Sequence, residues 1–201
     1  MTVHEADWYD RVMVEDGSPA LLPLEESGWE PLYREAASWI GREEHVVDLG
    51  CGTARFAHAL ADREHYATYT GIDFSRAALE QAVVYLADII PVDRLDLRLA
   101  DLRTFTPDPA RPGNTVYVCT EVLEHLADDV DLVHRIPPGH RLIFSLPNYD
   151  SEAHLRTIRN AGEIWDRYQH IIQIRRWSLV ELGGPRTSVH LVDSVRRGDS
   201  W

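Results

Sequence analysis

The chain has 201 residues, 44% of them apolar and 26% charged, with a formal net charge of −13. That is the composition of a soluble globular protein, and the length suits one domain that closes a core without disulfide or metal staples. All 20 basic residues are arginine, which excludes a Schiff-base lysine, a P-loop lysine and pyridoxal chemistry on this chain.

The charge is uneven: residues 1–140 hold 26 acids and 11 arginines, residues 141–201 hold 7 and 9. Long nucleic acids favour basic surfaces, so this balance argues against tight duplex or RNA binding, although a local arginine patch could suffice. The simplest role for the acids is to keep the surface soluble. No apolar run approaches a membrane span, and the N-terminal Met-Thr-Val-His-Glu-Ala-Asp lacks the pattern of a signal peptide. Cys51 and Cys119 lie far apart in sequence and suit reduced packing residues of a cytoplasmic protein better than a redox or metal pair.

Residues 1–28 open with Trp8-Tyr9 and pass through Gly17-Ser18-Pro19 and Pro23, which predicts a short helix or irregular arm followed by a turn. Residues 29–40 place Trp29, Tyr33 and Ile40 near one helical stripe, with Pro31 tolerated in the first turn. Trp8 and Trp29 are most simply read as docking this arm on the core; Tyr9 and Tyr33 are left open. Residues 1–40 form a helical arm or lid in this reading, and residues 41–201 the domain it serves.

The segment from Val46 to Phe56 starts apolar, turns at Gly50 and Gly52, and runs on with Phe56 and Leu60 four apart. It predicts a strand, a tight turn and a helix, the opening of a βαβ unit whose loop lets backbone N–H groups approach a ligand. A dinucleotide fingerprint would need a third glycine at Arg55. Instead Asp48 stands two residues before Gly50. Residues 67–72 predict the second strand, which ends at Asp73, where a carboxylate just over twenty residues beyond the turn can accept hydrogen bonds from ribose hydroxyls. Ser75 is placed to cap the next helix, with Leu79, Val83 and Leu86 as its apolar stripe.

Residues 95–99 alternate with a period of two, a third strand with one wetter face. Ala100-Asp101-Leu102 follows, then a breaker-rich loop over 106–113. Residues 115–120 predict a buried strand that delivers Glu121 to the ligand-binding edge, followed by Glu121-Val-Leu-Glu124-His125. Residues 141–146 predict a fifth strand ending at Pro147-Asn148. Beyond it, residues 151–158, 162–168 and 177–182 are expected to be helical and residues 188–195 to form a closing strand.

The Asp-x-Gly-x-Gly run at 48–52 resembles motif I of the class I S-adenosylmethionine-dependent methyltransferases, with Ala54 where that motif has its third glycine, a small change at a helix start. The segment Glu121–His125 closely resembles the E-V-L-E-H of ubiquinone-biosynthesis O-methyltransferases and their relatives. Ser145-Leu-Pro-Asn148 matches the S-x-P-N that often ends the fifth strand. Ala100-Asp101-Leu102 resembles the family's short A-D-L segment, so the resemblance spans roughly residues 29–150 in four ordered motifs, each at a strand end. It implies an α/β, Rossmann-like three-layer sandwich with a mostly parallel seven-stranded sheet whose last strand is antiparallel.

It also implies S-adenosylmethionine as cofactor and S-adenosylhomocysteine as product. Asp48, Gly50, Cys51, Gly52, Asp73, Phe74, Asp101, Leu102 and Thr120 would bound the cofactor, with Phe74 against adenine and Asp101 accepting from its amine. His125 is the best candidate for a base on the acceptor, with Glu121 beside it; helix bracing explains His125 equally well. His154 and His170 lie in the variable last third, where a surface position is the commoner role.

The partner expected is a small-molecule methyl acceptor, not a long nucleic acid or a membrane, on a monomer or homodimer. Two alternatives stand. E-x-x-E-H with a later histidine resembles the metal site of small-RNA 3′-terminal 2′-O-methyltransferases, although Gln173 and His170 stand awkwardly before Trp177 for that pattern. A non-catalytic module that binds the nucleoside is the other.

Overall fold

A computed structural model describes residues 6–13, 15, 17–63, 66–108, 113–183 and 187–198. The first five residues of the arm and positions 109–112 of the breaker-rich loop lie outside them. Strand and helix alternate because apolar runs with period two give way to helical stripes at glycine or capped turns. In chain order these are α1 (Ala6–Val12), α2 (Glu30–Ser38), β1 (Glu44–Leu49), α3 (Arg55–Ala61), β2 (Tyr66–Asp73) and α4 (Arg76–Leu86). Then follow β3 (Leu95–Leu99), β4 (Thr115–Cys119), α5 (Asp129–Arg135), β5 (Arg141–Pro147), α6 (Ala161–Tyr168), β6 (Ile172–Glu181) and β7 (Ser188–Arg196).

The seven strands form one sheet in the order β3-β2-β1-β4-β5-β7-β6. Pairing is parallel from β3 to β5, and β7 runs antiparallel between β5 and β6. Alternation along the strands divides the core between two faces. Val46, Val116, Val118 and Ile143 pack with residues of α2, α3 and α4. Val47, Leu49, Tyr117, Cys119, Leu142 and Phe144 pack with α5 and α6. The order reverses between β1 and β4, so the loops after these strands part there and leave a crevice at their carboxyl ends.

Several sequence expectations are corrected. Residues 177–182 are not helical: the stretch lies in β6, whose neighbours Ile172 and Ile174 are β-branched and whose backbone pairs with β7. Residues 151–158 form irregular chain, because their backbone donors serve distant partners: Leu155 N–H bonds Glu124 O and Ile158 N–H bonds Pro147 O. Along α4 the buried positions are Ala78, Leu79, Ala82 and Leu86, whereas Val83 is 56% exposed. The two alanines let the helix sit close to the sheet and shift the stripe by one residue. Ser75 caps α4 as expected, its Oγ accepting from Ala78 N–H at 3.1 Å.

In α2 the buried residues are Leu32, Ala36 and Ala37, with Trp29 and Tyr33 packed against them. The arm before α2 is bonded directly to the turn after β1 and to α3 and α4. Thr53 Oγ1 donates to Ala20 O at 2.6 Å, the Arg55 guanidinium donates to Leu22 O, and Leu24 N–H donates to Tyr85 Oη at 3.1 Å. Arg55 also lies 3.5 Å over the Tyr85 ring. Among the described residues no helix is long and apolar enough to cross a membrane.

Candidate active site

β1 ends in a turn that three left-handed residues shape: Gly50 at φ +80°, Gly52 at +51° and Ala54 at +62°. At Gly50 the lack of a side chain is required twice over, since a Cβ there would lie 2.4 Å from Val122 Cγ2 on the loop after β4. The two loops at the switch point therefore touch through this glycine. The turn is also pinned to β2, with the N–H groups of Gly50 and Cys51 both donating to Ile72 O. Ala54, which the sequence treats as a small change, carries a Cβ in a region that disfavours one.

Asp73, at the end of β2, faces this turn. Its Oδ2 accepts from Gly52 N–H at 2.8 Å and its Oδ1 from Ser75 N–H at 2.8 Å. Burial raises its pKa, and these backbone donors oppose the rise. Each carboxylate oxygen keeps further acceptor capacity toward the crevice. At Gly52 an added Cβ would meet nothing within 4 Å, so the backbone is open on that side.

The crevice itself is a cavity lined by Gly50, Gly52, Asp73, Phe74, Asp101 and Leu102 at one end and by Glu121, Val122 and His125 at the other. Tyr9 and Met13 of the arm also line it. Tyr9 spans both ends, its ring 5.1 Å from that of Phe74 and 6.3 Å from that of His125. Burial, with the charges of Glu124 and Asp73, pushes its phenol up to about 12. Asp101 accepts from both the backbone and the guanidinium of Arg103, whose charge holds its carboxyl low.

Asp48, Cys51 and Thr120 are buried and do not line the cavity. Asp48 lies beneath the turn and accepts from Tyr69 Oη at 2.6 Å; burial pushes its carboxyl up to about 7. Cys51 packs over Gly71, where a Cβ would come within 2.8 Å of its Sγ. Both cysteines are free thiols, with pKa values raised by burial.

The far end is built differently. Glu121 follows β4 at φ +58°, an uncommon conformation for a non-glycine residue, and is held there from several directions. Its N–H donates to Ser145 Oγ at 2.7 Å, and that hydroxyl donates back to Glu121 Oε1 at 2.9 Å. Trp29 Nε1 and Tyr149 Oη donate to Oε2 at 3.1 and 3.0 Å. Trp29 thus does more than dock the arm. Burial raises the Glu121 pKa against these donors.

Next along the loop, Glu124 is fully buried and His125 half-buried. Burial, then the charge of Glu121, holds the Glu124 carboxyl well above its usual range. His154 arrives on the irregular 151–158 segment. It is buried, contrary to the surface role expected, whereas His170 is exposed. The His154 ring lies 5.1 Å from that of His125, and burial lowers its pKa. Sequence reasoning left Tyr9 open and missed Trp29, Ser145 and Tyr149 as site residues. For Ser145 and Tyr149 a signal existed, since they sit within and just after the S-x-P-N run; for Trp29 there was none.

Known proteins resemble this chain in sequence and in fold. A family model described as a methyltransferase domain matches residues 47–137. The ubiquinone biosynthesis O-methyltransferase of Coxiella burnetii (strain Dugway 5J108-111) is 28% identical over 165 residues, covering 73% of this chain and 67% of that protein. The trans-aconitate 2-methyltransferase of Streptomyces avermitilis is 33% identical over 132 residues, 61% of this chain and 47% of that one. The chain thus spans between about half and two thirds of the length of these curated relatives. Among solved structures, the N-methyltransferase NodS of Bradyrhizobium japonicum WM9 with S-adenosyl-L-homocysteine superposes with a TM-score of 0.68 at 19% identity, over 96% of this chain and 98% of that one.

Residues 47–137 thus match a methyltransferase domain, and the fold is that of S-adenosylmethionine-dependent methyltransferases. The cofactor of that class is S-adenosylmethionine, and the open backbone at Gly52 opposite Asp73 fits its nucleoside.

Proposed function

We propose that this protein transfers a methyl group from S-adenosylmethionine to an oxygen or nitrogen of a small-molecule acceptor. The observation that carries this reading is that one cavity joins the Asp73–Gly52 end to the Glu121–His125 end. When bound, the cofactor supplies a methyl on a sulfonium, already activated toward a nucleophile.

The chain's own task is grip, alignment and exclusion of water. Asp73 takes the ribose hydroxyls, Phe74 and Leu102 flank the adenine, and Asp101 accepts from its amine. Gly50 and Gly52 leave room for the backbone of the turn to approach. Asp48, through Tyr69, braces that turn from below, and Cys51 and Thr120 pack behind it. Tyr9 closes the cavity over both ends. Glu121 and His125 are the side chains that act on the acceptor.

The matched relatives named for ubiquinone biosynthesis and trans-aconitate support a small acceptor, and the net charge of −13 supports one that is not a long nucleic acid. The two buried free thiols suit a reducing cytoplasm. Titration calorimetry with S-adenosylhomocysteine, followed by a labelled-methyl screen of amines, phenols, carboxylates and short RNA, tests the reading. Binding of one equivalent and labelling of a small molecule are expected. Absence of binding, or labelling of RNA alone, overturns it.

A further inference from the structure

β6 is an edge of the sheet. Among the described residues it pairs with β7 alone, so the backbone N–H and C=O groups on its outer side have no strand to bond. Natural edges are blunted by shortness, by charge or by a bulge. Here a register shift between Ile174 and Arg176 breaks β6 near its start, and beyond it residues 176–181 run in unbroken register with β7. That flat stretch carries two large apolar side chains two positions apart on one face, Trp177 at 45% exposed and Leu179 at 44%. The edge is open where it is most apolar.

Trp177 is held firmly there. Its Nε1 donates to Nδ1 of the buried His190 at 3.1 Å, and the two rings stack with centroids 5.8 Å apart. His190 is itself fixed by the contact of its Nε2 with Ile158 O at 3.0 Å. An aromatic ring already held in one position loses little entropy when a partner covers it. The charges around it are divided: Arg175 and Arg176 precede the apolar pair, Glu181 follows it, and all three are exposed. Among the described residues, the side chains of Arg175 and Glu181 have no ion pair or hydrogen bond.

We propose that β6 pairs antiparallel with β6 of a second copy of this chain, with Ser178 facing Ser178 across a two-fold axis. In that register Trp177 of each copy faces Leu179 of the other, and Arg175 faces Glu181, on both sides of the axis. A strand with its cations before the apolar pair and its anion after it is complementary to itself run backwards, which an isologous contact requires. Moving the axis to Trp177 sets Arg175 against Leu179, and moving it to Leu179 sets Glu181 against Trp177, so the Ser178 register is the one that matches like with like. The other edge, β3, is shorter, and its Arg98 already bonds its own Asp96 at 2.7 Å.

The contact joins two seven-stranded sheets into one continuous sheet and covers Trp177 and Leu179 of both copies. None of the β6 residues lines the cavity, so the dimer stands or falls independently of the methyltransferase reading.

The test is sedimentation velocity on the full chain over a concentration series reaching about 100 μM, above the micromolar Kd suited to a small interface. A dimer is expected, weakened at least tenfold in Leu179→Arg and in Glu181→Arg, and restored to within threefold of wild type when Arg175→Glu is added to Glu181→Arg. Ser178→Cys reads the register. Cα atoms that face each other in an antiparallel pair lie about 4.5–5.5 Å apart, within disulfide reach. Oxidation with diamide should therefore link two copies of Ser178→Cys, while wild type, whose Cys51 and Cys119 are buried, stays unlinked. All the substituted side chains lie partly or fully exposed on the strand, and thermal melts confirm that each variant is folded. A wild type that is monomeric throughout the series overturns the proposal, as does a dimer that Leu179→Arg leaves unchanged or that Ser178→Cys fails to link.

Discussion

The two ends of the cavity are built from different materials. The end proposed to hold the nucleoside is backbone: left-handed turn residues at 50, 52 and 54, and N–H groups of Gly52 and Ser75 aimed at one carboxylate, Asp73. The end proposed to face the acceptor is side chain: Glu121, Glu124, His125 and His154, buried or half-buried and brought in from two separate stretches of chain. A backbone cradle holds a ligand common to a whole class, since its geometry follows from local turn chemistry. Buried titratable side chains cost desolvation and are specific to one reaction.

The harshest way to break both ends together is Gly50→Ala. The added Cβ meets Val122 at 2.4 Å at a positive φ, so a loss of about 2–4 kcal/mol is expected from strain plus overpacking, measured by urea denaturation. Asp73→Ala breaks the nucleoside end alone. Loss of charge-assisted acceptors should weaken S-adenosylhomocysteine by about 1.5–3 kcal/mol, tenfold or more by calorimetry. An unchanged affinity would remove Asp73 from the site.

Glu121→Gln breaks the acceptor end. An amide cannot accept from Ser145, Tyr149 and Trp29 through both its atoms, so a stability loss of about 1–3 kcal/mol should accompany a slower methyl transfer. Nucleoside affinity should stay within twofold.

A pH series sharpens the contrast. The folded pKa of Asp48 is raised from 3.8 to about 7, so across that range the folded chain keeps a proton that the unfolded chain has released. The contribution of Asp48 to stability is therefore full below pH 3.8, falls as pH rises toward about 7, and levels off above. Asp48→Asn keeps an acceptor for Tyr69 and should flatten this fall, seen by comparing denaturation midpoints at pH 5 and pH 8. The smallest effect is a gain: Ala54→Gly relieves a left-handed alanine and should add about 0.5–1 kcal/mol. A loss there would mean that burial of the Ala54 methyl outweighs its strain.

The sequence by itself determined the sheet from β1 to β5, the glycine turn, the acid at the end of β2 and the E-V-L-E-H loop. These are local features: period-two apolar runs, turn residues and caps state their own conformation within a few positions. It misjudged 151–158 and 177–182, because those stretches follow long-range partners, the Glu124 and Pro147 carbonyls in one case and β7 in the other. Only the tertiary structure decided that Trp29 and Tyr149 hold Glu121, or that His154 lies buried against Glu124. Such contacts join residues 28 to 92 positions apart, as with Tyr149 and Trp29 on Glu121, and no spacing along the chain encodes a meeting that depends on how two sheet faces are packed.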